Sequence, residues 1–521
     1  MRLAPTLTLL ASLAGCHGGS APFDTRWNEL PDGGFARDAG RRPPPEEEVE
    51  VRFDPPAVGE TVLYATSAES GRVAVIHADD FSIETVPVGA GPLPAVAAPG
   101  HDLAVSLDRG GFTVTVLRTP ASGPTSTRTL PLAHEANTVA FSPDAAYAVL
   151  FEGPRPGTTR TNFHDLSVLD LTEGGERVVR AVVGYGPSRV TFDAAGSRAI
   201  VVTEDGISQI ELGALPENGV LRAPLLQLGT IDPISLTEVA PGGDYALALA
   251  GLAELVQLDL RDGSVTTVDL SVLTGGGELD VSDLDIAPSG EEALVVLRSH
   301  ELLVRVPIGE LFADPTAWTV LDLAGHAIGS VALSPGGAKV VAYTTRRDVE
   351  TITVLDLVEN RGRHVSLRKS VRAVAVSADG RFALVLHHAR TDVTELDEEA
   401  AVDRAHGYSL VDLETGFARL MLVDAEPRSD AFVLEPSGER LFLGLRDDAR
   451  SIRELQVVDL ATFAVDRVPL VAPPTTVGVF PALDRAFIGQ EADGGRVTFY
   501  LWETGETHTV AGFELAARIR R

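Results

Sequence analysis

The feature of this sequence that most constrains its fold is an internal repeat. A short apolar strand, a turn of the type Ser/Ala-Pro/Ala-Asp/Gly-Gly and a second apolar strand recur along the chain. The clearest copies are at residues 139–144 (VAFSPD), 284–290 (LDIAPSG), 331–337 (VALSPGG), 374–380 (VAVSADG) and 433–438 (VLEPSG), and weaker copies begin at residues 96, 190, 239 and 479. The central turns, at positions 241, 288 and 335, are 47 residues apart. A period of this length is typical of propellers, solenoids and similar arrays, whose units bury apolar surface against their neighbours.

Each repeat contains two further strands. The third strand often ends in Leu-Asp-Leu or a related triplet, as at residues 166–171, 352–357, 408–413 and 455–460. A fourth strand follows a polar or Gly-containing turn, as at residues 264–270. Short strands rich in Val, Ile, Leu and Thr, with Pro and Gly confined to turns, predict a twisted antiparallel sheet. Four such strands per repeat predict an all-β fold, a β-propeller of four-stranded antiparallel blades. A stacked array of β-sandwiches is the alternative.

Two linking segments carry a family resemblance. Residues 86–92 (VPVGAGP) lead into Val96, and residues 182–187 (VVGYGP) lead into Val190. Together with the Ser-Pro-Asp turn at residues 142–144, these segments resemble YVTN-type (WD40-like) propeller repeats. In that family a Val-Gly-x-x-Pro link leads into the innermost strand of each blade. The resemblance extends over most of residues 50–513 and implies a β-propeller.

The number of repeats leaves the closure of the ring open. Nine turns and a first unit at residues 49–88 make about ten units, whereas propellers typically close with about 4–8 blades. The chain therefore forms either one unusually large ring or two smaller rings in tandem. No linker-like composition interrupts residues 62–513, which favours one continuous body. We assign residues 49–513 to the propeller repeats and residues 514–521 to a C-terminal tail.

The N-terminus is typical of an exported protein. Arg2 precedes an apolar run at residues 3–15, which is shorter than the roughly 20 residues of a membrane-spanning helix. The run fits the apolar region of a secretory signal. It ends in Leu-Ala-Gly and Cys16, the only cysteine in the sequence, and this resembles the lipobox of bacterial lipoproteins. The resemblance implies a signal peptide at residues 1–15 and lipidation of Cys16. An ordinary secretory signal with an incidental cysteine is the alternative.

The segment that follows has the composition of a tether. Residues 16–48 are rich in Gly and Pro, contain three consecutive glutamates and have few apolar side chains, so they predict a disordered segment. Its root-mean-square reach would be roughly 30 Å. His17 follows the cysteine, and by resemblance to lipoprotein sorting rules this favours the outer membrane. We therefore expect a lipid-anchored protein of the bacterial cell envelope, facing the periplasm or the cell exterior.

Charge limits the possible partners. Asp and Glu outnumber Lys and Arg by 74 to 43, for a formal net charge of −31. Such a protein repels phosphate backbones, so nucleic acid is not an expected partner. Basic and imidazole groups nevertheless collect in the predicted connections between second and third strands. We predict that they form an arc that binds a small anionic ligand through paired donors. The candidate residues are Arg298, His300, Arg346, Arg347, His387, His388, Arg390, Arg446 and Asp447. The alternative is that these loops are polar because they are solvated.

No cofactor or metal site is expected. His387 and His388 are adjacent at the end of a predicted strand, so their side chains point to opposite faces and do not readily share a metal. Residues 392–403 are rich in carboxylates and account for the longest gap between repeats, which predicts a solvated, mobile loop. Residues 153–160 form a second extended connection. Both insertions are candidate contact loops for a partner.

Two functions remain open at this stage. The first is a non-catalytic binding or scaffold protein that recognises an unknown protein or a small anionic ligand. The second is a hydrolase of the lactonase-like propeller type, with its site at the mouth of the central channel. The hydrolase needs a histidine, an arginine and a carboxylate within hydrogen-bond reach in one cavity. A binding protein needs no such convergence. We favour the binding protein.

Overall fold

The computed structural model describes residues 51–519, apart from residues 110–111, 156, 158, 230–233, 277–278, 324, 391 and 395–396. The predicted signal peptide at residues 1–15, Cys16 and the predicted tether at residues 16–48 lie outside the described residues. Ten four-stranded antiparallel sheets follow one another along the chain and form a ring, a ten-bladed β-propeller. This confirms the predicted fold class and the predicted number of repeats.

The first five blades occupy roughly the first half of the described chain. Their strands, from the inner edge of each blade to its outer edge, are as follows: blade 1, β1 (Ala57–Val58), β2 (Val62–Ser67), β3 (Arg72–His77) and β4 (Ile83–Pro87); blade 2, β5 (Val96–Ala97), β6 (Leu103–Leu107), β7 (Thr113–Arg118) and β8 (Ser126–Pro131); blade 3, β9 (Thr138–Phe141), β10 (Tyr147–Phe151), β11 (Asp165–Asp170) and β12 (Arg177–Val182); blade 4, β13 (Arg189–Phe192), β14 (Arg198–Thr203), β15 (Gly206–Glu211) and, after β16 (Val220–Arg222), β17 (Leu225–Leu226); blade 5, β18 (Ile234–Val239), β19 (Tyr245–Ala250), β20 (Glu254–Asp259) and β21 (Val265–Asp269). Strand β16 pairs in parallel with β12 and so adds a fifth strand to blade 3.

The last five blades follow the same order. Their strands are as follows: blade 6, β22 (Val281–Ile286), β23 (Glu292–Leu297), β24 (Leu302–Pro307) and β25 (Thr319–Asp322); blade 7, β26 (Ser330–Leu333), β27 (Lys339–Tyr343), β28 (Thr351–Asp356) and β29 (Arg361–Ser366); blade 8, β30 (Val371–Val376), β31 (Phe382–His387), β32 (His406–Asp412) and β33 (Ala418–Val423); blade 9, β34 (Phe432–Leu434), β35 (Arg440–Asp447), β36 (Ile452–Asp459) and β37 (Val465–Pro469); blade 10, β38 (Pro474–Phe480), β39 (Arg485–Gln490), β40 (Arg496–Leu501) and β41 (Glu506–Ala511). The two α-helices of the described residues are α1 (Glu398–Arg404) and α2 (Phe513–Ile519). Short 3-10 helices lie at Leu212–Ala214, Leu270–Leu273, Arg298–His300, Glu310–Ala313, Pro315–Ala317 and Pro481–Leu483.

The ring closes by packing of the first blade against the last. Leu63 and Ile76 of blade 1 share one buried cluster with Phe487 and Phe499 of blade 10. Blades 1 and 10 are each built from consecutive strands, so closure does not depend on strand exchange. The structure therefore answers the question that the sequence left open: the ten blades form one ring. Phe513 of α2 is buried in the same cluster, so the segment after residue 513 packs as a helix at this seam.

The core lies between the blades. The second and third strands of a blade are buried on both faces, and each face packs on a neighbouring blade. Leu294 and Val296 of blade 6, for example, meet Val331 and Val340 of blade 7. Removing this apolar surface from water is the main stabilising contribution in such a fold. Within the described part of the chain, no helix has the length and apolar character that crossing a bilayer requires.

The turn after the first strand of a blade is repeated almost unchanged in blades 2 to 9. In each, the first turn residue donates its N–H to the carbonyl oxygen five residues later, and its own carbonyl oxygen accepts the N–H three residues later, at 2.8–3.2 Å. The first residues of these turns are Ala98, Ser142, Asp193, Ala240, Ala287, Ser334, Ser377 and Glu435. In six of them a glycine occupies the fourth position with φ between 68° and 76°, a conformation that glycine adopts without strain. The repeated Gly of the sequence motif is therefore a backbone requirement.

The Leu-Asp-Leu motif also has a structural role. Its aspartate accepts backbone N–H groups of the next turn, as Asp412 does from Glu414 and Thr415 at 2.9 Å. The leucine that follows is buried, and its N–H donates to a carbonyl in the preceding turn, as Leu413 does to Arg381 at 2.8 Å. We call the end of the ring that carries these turns the turn face. The opposite end, with the connections from second to third strand and from one blade to the next, is the loop face.

Candidate functional site

The predicted ligand-binding residues belong to connections or strand ends at the loop face. They come from four consecutive blades, 6 to 9. The structure brings two of them, Arg298 and Arg346, to one cavity of about 240 Å³ between blades 6 and 7. Glu301 and Thr344 also line this cavity. The predicted residues lie on one face of the ring, as expected, but the charge of that face differs from the prediction.

Four of the predicted arginines form ion pairs with carboxylates. Arg298 lies 3.6 Å from Asp280. The Nε of Arg346 donates to Asp348 at 3.0 Å. The guanidinium groups of Arg390 and Arg446 are paired in the same way, Arg390 with Asp403 at 3.3 Å and Arg446 with Asp448 and Glu491 at 2.7 Å each. The loop face therefore does not present the continuous arc of positive charge that we predicted. Asp447, counted in that arc, accepts the backbone N–H of Arg450 at 3.1 Å. Arg347 is exposed.

His387 is not on the loop surface. It ends strand β31 and is 1% exposed. Its Nδ1 lies 3.2 Å from the carbonyl oxygen of Ser370, and its Nε2 lies 2.7 Å from the hydroxyl of Ser409. Burial lowers the pKa of His387 to about 4, so the ring is neutral near pH 7. Both ring nitrogens are occupied, and His387 acts as a buried structural side chain rather than as the ligand donor that we predicted.

The two remaining histidines differ from each other. His388 is half-buried, and its Nε2 has no hydrogen-bond partner among the described residues. Burial lowers its pKa, and the nearby guanidinium groups of Arg347 and Arg372 lower it further. His300 is exposed, with its Nδ1 2.9 Å from the hydroxyl of Ser299. The described residues contain no group of three or more His, Cys, Asp or Glu side chains arranged around a metal.

The insertion of blade 8 is partly helical. Helix α1 begins after Asp397, whose carboxylate accepts the N–H of Ala400 at 2.8 Å. At its other end the Nζ of Lys369 donates to the carbonyl oxygens of Val402 and Asp403 at 2.6 and 2.9 Å. Lys369 is 1% exposed. A cation at a helix C-terminus stabilises the carbonyls that have no intrahelical partner. The prediction of a solvated, mobile loop is therefore wrong for this helix.

A larger cavity lies at the seam of the ring. It has a volume of about 660 Å³ and lies between the segment that precedes β1, the loops of blades 9 and 10, and helix α2. Its charged lining is mixed: Arg52, Asp54, Arg446, Asp448, Glu491, Asp493 and Arg496. Burial raises the pKa of Asp54, and Arg109 opposes this shift. Both signs of charge line this cavity, so it has no single-sign character.

The loop face also carries an exposed aromatic pair that the sequence analysis did not single out. Phe163 belongs to the long connection of blade 3, and Tyr185 belongs to the link from blade 3 to blade 4. Their ring centroids are 5.4 Å apart with planes 6° from parallel, and the two residues are 40% and 41% exposed. Two features of the sequence could have indicated this pair: the extended connection of blade 3, and the tyrosine inside the Val-Gly-x-x-Pro-type link.

A third cavity adjoins this pair. It lies between blades 4 and 5 and has a volume of about 620 Å³. Ser188, Arg189, Glu204 and Thr237 are among its lining residues. Glu204 therefore lines this cavity, and its backbone N–H donates to the carbonyl oxygen of Tyr185 at 2.8 Å. Glu204 thus links the cavity to the segment that carries Tyr185.

The inner strands of blades 5 and 6 bring acidic groups together. Glu238 and Asp285 each precede the turn by two residues, in blades 5 and 6 respectively. Burial, together with the negative charges of Asp283 and Glu238, raises the pKa of Asp285 to about 6. Burial also raises the pKa of Asp283, although its carboxylate accepts the N–H of Val331 at 2.9 Å. The sequence showed these residues within a repeat but gave no sign of their proximity.

Comparisons with known proteins add information on the fold. No protein-family model matches the chain, and no curated protein matches it. A solved structure of a eukaryotic initiation factor is similar with a TM-score of 0.52 and 14% identity, over 79% of this chain and 96% of that one. Kuenenia stuttgartiensis hydrazine synthase is similar with a TM-score of 0.34 and 13% identity, over 69% of this chain and 99% of that one. Dihydro-heme d1 dehydrogenase NirN is similar with a TM-score of 0.41 and 16% identity, over 73% of this chain and 81% of that one. Likeness at this level of identity concerns the fold alone, and the chain is accordingly identified by its architecture, a ten-bladed β-propeller.

Proposed function

We propose that this chain is a lipid-anchored, non-catalytic binding protein of the bacterial cell envelope and that its loop face binds a protein partner. The observation that carries the proposal is the exposed stack of Phe163 and Tyr185. Leaving two aromatic rings in water is unfavourable, and aromatic side chains are enriched at protein interfaces. The rings lie on the face that also carries both long insertions. A protein partner would cover this surface and recover the apolar burial.

The position of Val51 supports the choice of the loop face. The carbonyl oxygen of Val51 accepts the N–H of Gly494, 3.0 Å away, in a loop-face connection of blade 10. Residue 51 therefore lies at the loop face. A tether with a reach of roughly 30 Å would leave room for a partner near the membrane.

Three of the side chains that the hydrolase alternative would use are engaged in structural contacts. His387, which with His388 is one of two candidate bases, has one ring nitrogen on Ser370 and the other on Ser409. The candidate arginines Arg346 and Arg446 face Asp348 and Asp448. An oxyanion site needs donors aimed at the place where charge develops in the transition state. These arginines instead neutralise carboxylates, which favours the binding protein.

The lipid anchor is tested with Cys16→Ser. We expect this variant in the soluble fraction of cells, because no thiol remains for acylation, whereas His17→Ala stays in the membrane fraction. Blotting of the two fractions distinguishes these results. Membrane retention of Cys16→Ser would overturn the proposed anchor.

The binding face is tested with two single-cysteine variants in the Cys16→Ser background. Ser188→Cys carries the thiol on the loop face beside the aromatic pair, and Glu173→Cys carries it on the turn face of the adjoining blade. Each is coupled to a bulky maleimide-polyethylene glycol and presented to envelope extract with a cross-linker. We expect the label at residue 188 to abolish a specific cross-linked protein and the label at residue 173 to leave it. Equal cross-linking of both labelled proteins would overturn the assignment of the face.

A further inference from the structure

We propose that Phe163, His164 and Tyr185, which we call the aromatic platform, form a docking site for a basic peptide segment together with Glu204 and Asp205. An arginine side chain of the partner would stack on the exposed rings and pair with these carboxylates. This inference rests on the proposed function, since it names the chemistry of the partner.

The platform has a defined geometry. The rings of Phe163 and Tyr185 are nearly parallel, with centroids 5.4 Å apart. The imidazole of His164 meets the edge of Tyr185 at 5.5 Å and 69°. The Nδ1 of His164 lies 3.2 Å from the carbonyl oxygen of Val183, which fixes the imidazole against the neighbouring segment. Three rings from two connections therefore form one surface.

Backbone hydrogen bonds join the two connections. Val183 donates its N–H to the carbonyl oxygen of His164 at 2.8 Å, and Gly186 donates to that of Phe163 at 2.7 Å. Gly186 has a φ of 66°, and a Cβ at this position would lie 2.5 Å from the carboxylate of Glu204. Glycine therefore allows the chain to turn beneath Tyr185.

A buried carboxylate holds the chain segment that leads into Phe163. Glu152 is 8% exposed and accepts the N–H of Asn162 at 2.7 Å and both the N–H and the hydroxyl of Thr161 at 3.0 Å. The side chain of Asn162 in turn accepts the N–H of Asp165 at 2.9 Å. Because these contacts order the rings before binding, a partner does not have to supply that ordering entropy.

The charge beside the platform selects the partner. The Oδ1 of Asp205 accepts the N–H of Tyr185 at 2.8 Å, and Asp205 is exposed. The side chain of Glu204 is 64% exposed; the guanidinium of Arg160, only 14% exposed, lies 3.8 Å away. Accessible charge next to the rings is therefore negative, in agreement with the net charge of −31.

A cation is attracted to the face of an aromatic ring and to these carboxylates at the same time. Arginine fits better than lysine because its planar guanidinium stacks on a ring while its N–H groups reach a carboxylate. The 620 Å³ cavity beyond Glu204 offers space for residues that flank the arginine. A neutral sugar or an anionic ligand would bring no positive charge to these exposed carboxylates.

The test uses the full chain and two short fluorescein-labelled peptides. One alternates Gly with Arg, and the other has citrulline in place of Arg, which keeps the planar group and removes its charge. Fluorescence anisotropy gives the dissociation constants. We expect Tyr185→Ala to weaken binding of the Arg peptide about tenfold, Tyr185→Phe to retain the affinity, and Glu204→Gln to weaken it about threefold. The citrulline peptide should bind the native chain about tenfold more weakly than the Arg peptide.

The matched control is Phe417→Ala on the turn face. Phe417 is 58% exposed and stacks on Phe463 at 5.8 Å, so it offers an equally accessible ring away from the platform. We expect this variant to bind the Arg peptide as the native chain does. Equal affinity of Tyr185→Ala and the native chain would show unspecific attraction to an acidic protein and overturn the proposal.

Equal binding of the citrulline peptide, or no measurable binding of the Arg peptide, would overturn it as well. A cross-linked partner that is still blocked at residue 188 would then show that the loop face binds a protein of other chemistry. The failure of this inference is in that way separable from the failure of the proposed function.

Discussion

The two ends of the ring are built on different principles. On the turn face, eight blades use one hydrogen-bonded turn, and the Leu-Asp-Leu aspartates order the neighbouring turns. On the loop face the connection from second to third strand varies in length between blades. It is shortest in blade 4, at residues 204–205, and longest in blade 8, at residues 388–405. The contacts that hold the long connections include two buried side chains, Glu152 and Lys369. Repetition therefore marks what the fold requires, and departures from the repeat mark where a surface has been added to it.

Two carboxylates show the contrast with nearly identical chemistry. Glu152 on the loop face accepts the N–H and the hydroxyl of Thr161. Asp459 on the turn face accepts the N–H and the hydroxyl of Thr462, at 2.7 and 2.8 Å. Glu152 is buried, whereas Asp459 is exposed. Water can replace the carboxylate of Asp459 when it is removed, but it does not reach the site of Glu152 as freely.

The largest effect is expected for Glu152→Ala. Removing this buried acceptor takes away the partner of three donors, among them the buried N–H of Asn162, which should lower the free energy of unfolding by about 2 to 3 kcal/mol. Asp459→Ala, the matched turn-face change, should lower it by about 0.5 to 1 kcal/mol. Denaturant unfolding followed by circular dichroism measures both. Equal losses would show that the two faces do not differ in how their polar contacts are shielded from water.

The next effect concerns the chain's two lysines. Lys369→Met removes two hydrogen bonds to the end of α1 while preserving the aliphatic volume, and we expect a loss of about 1 to 2 kcal/mol. Amide hydrogen exchange in α1 should accelerate at the same time, because the C-terminal end of the helix loses its contacts with Lys369. Lys339→Met at the turn-face end of β27 should leave both quantities unchanged. Slow exchange in α1 of Lys369→Met would show that the helix is held by other contacts.

These examples explain how far the sequence could predict the structure. The turn at residues 142–145 and the motif ending at Leu413 involve neighbouring positions, so a local pattern reveals them. The single ring depends on Phe487 meeting Leu63, which are far apart in the chain. The attachment of Lys369 to Val402 has no local pattern either. A side chain that is set by distant packing cannot be located by a local repeat.

The candidate site follows the same division. The repeat correctly placed Arg298, Arg346 and Arg446 at one end of the ring, since it defines which connections lie there. Their neutralisation depends on which side chains lie opposite, and Arg446 meets Glu491 of another blade. Phe163 lies in an insertion whose sequence does not follow the repeat, so the repeat could not indicate its position. Sequence analysis thus placed these side chains at one end of the ring but did not predict the contacts that they make there.

A smaller effect, with a characteristic pH dependence, is expected at Asp285. Its pKa of about 6 in the folded chain exceeds the value of about 4 in an unfolded chain, so the folded state binds more protons between these values. Stability therefore falls as pH rises through this window. Asp285→Asn should be more stable than the native chain by about 1 kcal/mol near neutral pH and equal to it below about pH 4.

Asp459 provides the opposite sign on the turn face. Hydrogen bonds from Thr462 lower its pKa, so it contributes stability above the unfolded pKa and loses that contribution as pH falls through the folded value. Asp459→Asn should therefore be less stable than the native chain at neutral pH and approach it in acid. Thermal unfolding of both asparagine variants across this pH range is the measurement. Parallel pH profiles would show that the inner strand and the turn face titrate alike.

The smallest effect is expected for an ion pair that joins two blades. Arg446 of blade 9 donates to Glu491 of blade 10 at 2.7 Å, and its side chain is 23% exposed. Arg446→Met should lower the free energy of unfolding by about 0.5 to 1 kcal/mol at low salt, and the loss should shrink at high salt because ions screen the pair. Arg361 pairs with Glu359 within one turn of the turn face, and both side chains are largely exposed. Arg361→Met should therefore leave stability unchanged at either salt concentration, because this local pair restrains nothing beyond its own turn. If both variants lost the same stability, the arginines of the loop face would be ordinary surface charges, and the contrast between the two faces would rest on their buried contacts alone.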